Sequence, residues 1–175
     1  MQVAFSAICV GLDNAGKTSL LRTLSNSQRM EIFPTPTMEI HYVICPKIGK
    51  YCLIYDMSGN GRHRQNWRIL YQDIQAMIYV IDTSDSEYRF HLQRQLIEEV
   101  LNDDLIKKSA IPILFLFNKN DKNNRFNKDD LIKVLGLDSK KFKNKFIFKE
   151  TSSFEISKLK EAIDNLTDAL YSKKQ

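Results

Sequence analysis

The chain has 175 residues, 43% of them hydrophobic and 27% charged, which is room for one compact domain over 1–175 with a core of its own. Its longest apolar run, Ile111 to Phe117, falls far short of the roughly 18 residues that suggest a membrane span. The net charge of +5 is modest, and the late lysines Lys140-Lys141, Lys143, Lys145 and Lys173-Lys174 read as a solvated face. Met1-Gln2-Val3-Ala4-Phe5 has neither the basic start nor the apolar stretch of a signal peptide. Cys9, Cys45 and Cys52 have no CxxC spacing and fit free thiols in a reducing, cytoplasmic compartment.

Val3 to Val10 is a short apolar run before a glycine loop and reads as a buried strand. Lys17 to Leu24 reads as a helix, ending near Ser25-Asn26-Ser27. Pro34 and Pro36 mark an extended loop. Ile40 to Cys45 and Tyr51 to Met57 flank Pro46-Lys47-Ile48-Gly49-Lys50 and suggest an antiparallel hairpin. Ser58 to Arg64 reads as a loop. Ala76 to Ile81 and Ile111 to Phe117 are two further buried strands, and Glu87 to Leu101 between them has the periodicity of a helix. Lys128 to Leu135 is a helix with Asn127 as its cap. Phe146 to Phe148 opens a last strand, and Ile156, Leu159, Ile163, Leu166 and Leu170 form a helical stripe. Strands alternating with helices predict an α/β domain: a mostly parallel six-stranded sheet with one antiparallel edge strand and helices on both faces.

Gly11-Leu12-Asp13-Asn14-Ala15-Gly16-Lys17-Thr18 matches G-x-x-x-x-G-K-[ST] between a strand and a helix, the phosphate-loop context. The backbone N–H groups from Asp13 to Ser19 are placed to cradle phosphates, with Lys17 as a point charge and the Thr18 hydroxyl as a Mg²⁺ ligand. Asp56-Met57-Ser58-Gly59 closes the third strand; its acid is a second candidate at the Mg²⁺, and the Gly59 N–H meets a γ-phosphate. Asn118-Lys119-Asn120-Asp121 follows the fifth strand. There Asp121 is able to accept from N1–H and the 2-amino group of guanine, a pair that adenine lacks, while the Lys119 stem lies along the base. Thr151-Ser152-Ser153, after the last strand, offers a further backbone contact to the base through Ser152 and Ser153.

GLDNAGKT, DMSGNGR, NKND and TSS, in this order and spacing, resemble the small GTPases of the Arf and Arf-like branch. Tyr55 to Arg62 and Trp67-Arg68-Ile69-Leu70-Tyr71 look most like the Bardet–Biedl, ciliary-trafficking type. The resemblance implies a P-loop fold and a switch that binds GTP or GDP with Mg²⁺. It also implies effector, exchange-factor and activating-protein partners, with a coat or adaptor complex among them and peripheral contact with membranes or the cilium base. Nucleic acid is not an expected partner. Carried over by position, Thr37 is the switch threonine on Mg²⁺, since it lies 19 residues from both Thr18 and Asp56; Thr35, which also follows a proline region, competes for the role. Ile40, Tyr55, Trp67 and Leu70 correspond to the apolar cluster that partners read.

Three departures stand out. Asn60 replaces the Gln that orients the attacking water, and its stem is one methylene shorter, so slow hydrolysis is expected. Glu39 replaces a Gly that helps the hairpin shift register. The chain opens at the first strand without the branch's amphipathic N-terminal helix, and Met1-Gln2 is no myristoylation signal. Either that helix has been trimmed away or membranes are reached only through partners. His41, His63 and His91 are scattered, without metal-ligand spacing, and read as solvated or hairpin residues. Two other readings stay open: a GTP-bound scaffold with negligible hydrolysis, and a small-molecule phosphotransferase.

Overall fold

The computed structural model describes residues 2–25, 35–122 and 126–172. Pro34, Asn26-Ser27 and Lys173-Lys174 lie outside the described residues. The elements follow the alternation read from the sequence: β1 (Val3–Val10), α1 (Lys17–Leu24), β2 (Met38–Cys45), β3 (Lys50–Met57), β4 (Ala76–Asp82), α2 (Glu87–Asn102), α3 (Asp104–Ser109), β5 (Ile113–Asn118), α4 (Lys128–Val134), β6 (Phe146–Glu150) and α5 (Ile156–Tyr171). Two elements go beyond the sequence reading: the six-residue α3 and a 3₁₀ segment over Arg64–Leu70. Both are too short to carry a helical repeat.

The sheet has the order β2-β3-β1-β4-β5-β6. Every neighbouring pair is parallel except β2 with β3, the predicted hairpin. β4 and β5 are buried along their whole length, as central parallel strands covered on both faces must be. Alternation of side chains divides the interior into two layers. Ile8, Val10, Tyr79, Ile81, Phe115 and Phe117 face Phe90 and Ile97 of α2, Ile106 of α3 and Leu131 of α4. Ala7, Cys9, Ile78, Val80, Leu114 and Leu116 face Leu20 and Leu21 of α1 and Leu159, Ile163 and Leu166 of α5. All three cysteines are buried and free.

Helix ends are set by local chemistry. The Asn127 side chain accepts from the Asp130 N–H at 2.9 Å and caps α4, as the sequence suggests. Ser86 caps α2 in the same way through Arg89. Because β1, β3, β4, β5 and β6 all run in one direction, Val10, Met57, Asp82, Asn118 and Glu150 end at a common edge. That carboxyl edge is where open α/β sheets place their ligands.

Candidate functional site

A cavity of about 500 Å³ opens at this edge, lined by Asp13, Asn14, Gly16, Lys17, Thr18, Ser19, Thr35, Pro36, Ser58, Gly59, Asn60 and His63. Its floor is the loop between β1 and α1. Gly16 holds φ of 93°, a left-handed angle that favours glycine, and so turns the chain directly into α1. Lys17 is buried, and its Nζ donates to the carbonyls of Gly11 at 3.1 Å and Leu12 at 2.9 Å. Burial pulls the Lys17 ammonium below its ordinary pKa, against the opposing pull of Cys9 and Asp56.

Beside Lys17 three oxygens crowd together. The Thr18 hydroxyl donates to Asp56 Oδ2 at 2.5 Å and lies 2.9 Å from the Thr35 hydroxyl, which is 3.4 Å from the same carboxylate oxygen. Asp56 is fully buried and its Oδ1 has no partner. Burial raises its pKa, and the Thr18 hydrogen bond and Lys17 only partly offset this. Two hydroxyls converging on one carboxylate oxygen make an all-oxygen donor set, which fits a hard divalent cation such as Mg²⁺.

Of the two candidate switch threonines, the structure brings Thr35 to this cluster. Thr35 is the buried residue in the cluster, whereas Thr37 is exposed and engages through its backbone, its carbonyl accepting from the Ser58 N–H at 2.9 Å. The chain bends at Pro36 and Thr37 before β2 begins at Met38, so the two threonines do not share one strand face.

Gly59 packs so closely on the phosphate loop that a Cβ there would meet the backbone of Leu12 and Asp13. Its carbonyl accepts from Arg64 Nε at 2.8 Å, and Arg64 Nη2 reaches Asp13 Oδ1 at 3.5 Å. Arg89 donates to the Asp13 carbonyl at 2.7 Å. Neither arginine carries a motif signal. Asn60 lines the cavity but is exposed, and its Oδ1 accepts from the Arg62 N–H at 3.0 Å. His63 also lines the cavity, which the sequence reading did not anticipate.

The loop after β5 closes on the phosphate loop. Asn118 Nδ2 donates to the Ala15 carbonyl at 2.8 Å, and Lys119 Nζ donates to the Asn14 carbonyl at 2.7 Å and to Asp82. Burial works to raise the Asp82 pKa, but hydrogen bonds from Lys119 and Ser84 outweigh it and hold the carboxyl below its usual range. Asp121 is exposed. The Asn120 N–H donates to the Thr151 carbonyl at 3.2 Å, joining this loop to the one after β6. There Ser152 is buried, and the Ser153 carbonyl accepts from the Thr23 hydroxyl at 3.4 Å. Asn118 Oδ1 and Thr151 Oγ1 are buried without a partner.

The four residues of the expected apolar partner cluster differ in burial. Ile40 is 50% exposed, but Trp67 is 3% exposed and its Nε1–H donates to the Ser58 carbonyl at 2.9 Å. Tyr55 and Leu70 are half-buried against the core. Met38, Ile40, Tyr42 and Ile44 form an outward-facing apolar row along β2, and Ile69 is exposed beside Leu70. His41, expected to be solvated or in the hairpin, is a buried hairpin residue. No helix among the described residues is long and apolar enough to cross a membrane.

Comparison with known proteins agrees with this architecture. Residues 2–170 match the model of the ADP-ribosylation factor family. The chain is similar to the ADP-ribosylation factor-like protein 6 of Danio rerio, 37% identical over 118 residues that cover 66% of this chain and 62% of the relative's length. It also shares its fold with the Arl6 BBS3 small GTPase of Trypanosoma brucei, solved with the nucleotide analogue GppNp. The TM-score is 0.85 at 23% identity, covering 96% of this chain and 98% of that one. The chain therefore belongs to the ADP-ribosylation factor family of small GTPases.

Proposed function

We propose that the chain is a guanine-nucleotide switch that binds GTP and GDP with Mg²⁺, hydrolyses GTP slowly and acts in membrane or ciliary trafficking through effectors. The observation that carries this reading is the convergence of the Thr18, Thr35 and Asp56 oxygens beside buried Lys17. In this reading the N–H groups of Asp13 to Ser19 hold the phosphates, and Lys17 exchanges its carbonyl partners for β- and γ-phosphate oxygens. Thr18, Thr35 and Asp56 hold the cation, with Thr35 taking the role that spacing gives to Thr37. Mg²⁺, when bound, neutralises charge on those oxygens. Asp121 selects guanine by accepting from N1–H and the 2-amino group. Lys119 flanks the base, Asn118 braces its loop, and the Ser152-Ser153 backbone contacts the ring.

The reaction is in-line attack of water on the γ-phosphorus of GTP, giving GDP and phosphate. Gly59 offers its N–H to the γ-phosphate. Asn60 is the water-positioning residue, and its carbonyl oxygen is turned back onto the Arg62 N–H. That contact and the short stem favour slow turnover, and they keep the GTP-bound scaffold as a second reading. An effector would dock against the outward apolar face that includes Ile40, with Tyr55 and Leu70 beside it. Exchange factors, activating proteins and a coat or adaptor complex are proposed partners of the same switches.

Denaturing the purified protein and separating the released nucleotide by ion exchange tests the proposal. Guanine nucleotide is the expected result, and GTP in excess of GDP favours the scaffold. Adenine nucleotide overturns the role of Asp121. If nothing is released, GDP titrated with Mg²⁺ must bind, and failure to bind overturns the proposal.

A further inference from the structure

Glu39 and His41 are two residues apart on β2 and so project to the same face, while the register of the hairpin sets Asp56 of β3 opposite Glu39. Each of the three offers a ligand atom, and these atoms all lie within 4.8 Å of one another. Glu39 Oε2 is 3.6 Å from His41 Nε2. His41 is 8% exposed and Asp56 fully buried, yet His41 Nε2 and Asp56 Oδ1 have no hydrogen-bond partner. Buried polar atoms left bare in this way call for an explanation.

We propose that Glu39, His41 and Asp56 form a site for a borderline divalent cation, of which Zn²⁺ is the type. The site is distinct from the Mg²⁺ position in its other two ligands but shares Asp56 with it, one carboxylate oxygen facing each. The donor set decides the class of metal. Mg²⁺ prefers six oxygens in an octahedron, and an imidazole nitrogen is a poor ligand for it. One imidazole and two carboxylates suit zinc, which takes three protein ligands and a water. With metal–ligand bonds of about 2.1 Å, ligand atoms in a tetrahedron sit roughly 3.4 Å apart, close to the Glu39–His41 spacing. Asp56 Oδ2 remains with Thr18, and its bare Oδ1 provides the spare lone pairs. Arg22 Nη2 lies 3.5 Å from Glu39 Oε2, so the metal would take this oxygen in competition with the arginine.

A cation in this position ties two residues of β2 to one of β3. Sliding β2 by two residues against β3 would separate Glu39 from Asp56, so a bound cation locks the hairpin in its present register.

The test adds Zn²⁺ to the purified full chain in Mg²⁺ buffer, removes unbound metal by gel filtration and measures zinc per chain. One zinc per chain is expected, retained against excess Mg²⁺. His41→Ala and Glu39→Gln should each weaken binding at least about tenfold, since even indirect supports of a metal site cost that much. His63→Ala with His91→Ala should leave binding unchanged. Co²⁺ in place of zinc should give the visible absorption of a four-coordinate site, lost in Glu39→Gln. Glu39 is only partly buried, so its variant keeps the test decisive if His41→Ala fails to fold. No co-eluting zinc, or zinc retained in Glu39→Gln, overturns the proposal.

Discussion

The hydroxyls of Thr18 and Thr35 stand 2.9 Å apart and share Asp56 Oδ2. This contact joins the start of α1 to the segment leading into β2 and names one of two neighbouring threonines. Thr35→Ala is expected to weaken Mg²⁺-dependent binding of a GTP analogue about tenfold, the cost of a lost bond to a charged group. Thr37→Ala keeps its carbonyl bond to Ser58 and should stay within about twofold. Nucleotide release followed with and without Mg²⁺ checks both. Equal effects, or the reverse order, would return the role to Thr37.

Asn60→Gln extends the side chain by one methylene. Correcting a misplacement of this size is worth up to roughly 10²-fold in rate. Single-turnover GTP hydrolysis should accelerate toward that limit, while GTP affinity stays the same. An unchanged rate would remove Asn60 as the cause of slow turnover.

The Lys119–Asp82 ion pair gives a pH signature. Asp82 has a folded pKa held below its unfolded value, so its contribution to stability is present above about pH 3.9. That contribution is lost as pH falls through the depressed folded value. Asp82→Asn is expected to cost about 1–3 kcal/mol near neutrality. The gap between the two proteins should close as the pH drops below about 4, in chemical unfolding followed across pH. A gap that persists at low pH would mean that lost packing, not charge, causes the effect.

Gly59→Ala puts a methyl group against the Leu12–Asp13 backbone, where there is no flexible side chain to yield. Destabilisation of about 1–3 kcal/mol is expected, as for overpacking in a core. Thermal unfolding of the nucleotide-free protein separates this from a loss of phosphate contact. An unchanged melting temperature would show that the loop moves aside at little cost.

The parts of the site that could be read from sequence are those whose chemistry is local. Gly11, Gly16, Lys17 and Thr18 lie in one short stretch whose spacing is dictated by the turn itself. The strand ending in Asn118 is legible because a buried parallel strand is a continuous apolar run, and the one carrying Asp56 because two β-rich runs flank a turn. What stayed hidden depends on folding back. Trp67 looks like a surface aromatic until the 3₁₀ segment turns its indole to the Ser58 carbonyl. Thr35 and Thr37 have the same immediate neighbour, a proline, and only the path into β2 separates them. His41 and Glu39 show no ligand spacing because their third partner arrives from β3 through strand register. His63 enters the cavity on a turn fixed by its N–H bond to the Asn60 carbonyl at 2.9 Å.

Trp67 is the single tryptophan of the chain. All indole fluorescence therefore arises from one position, shielded from water and anchored to the segment that links Asp56 to Asn60. Blue-shifted emission follows from that burial, and its wavelength and quenching report the surroundings of this one position. Stopped-flow traces of the unlabelled protein can thus be assigned to one piece of the molecule without an introduced dye.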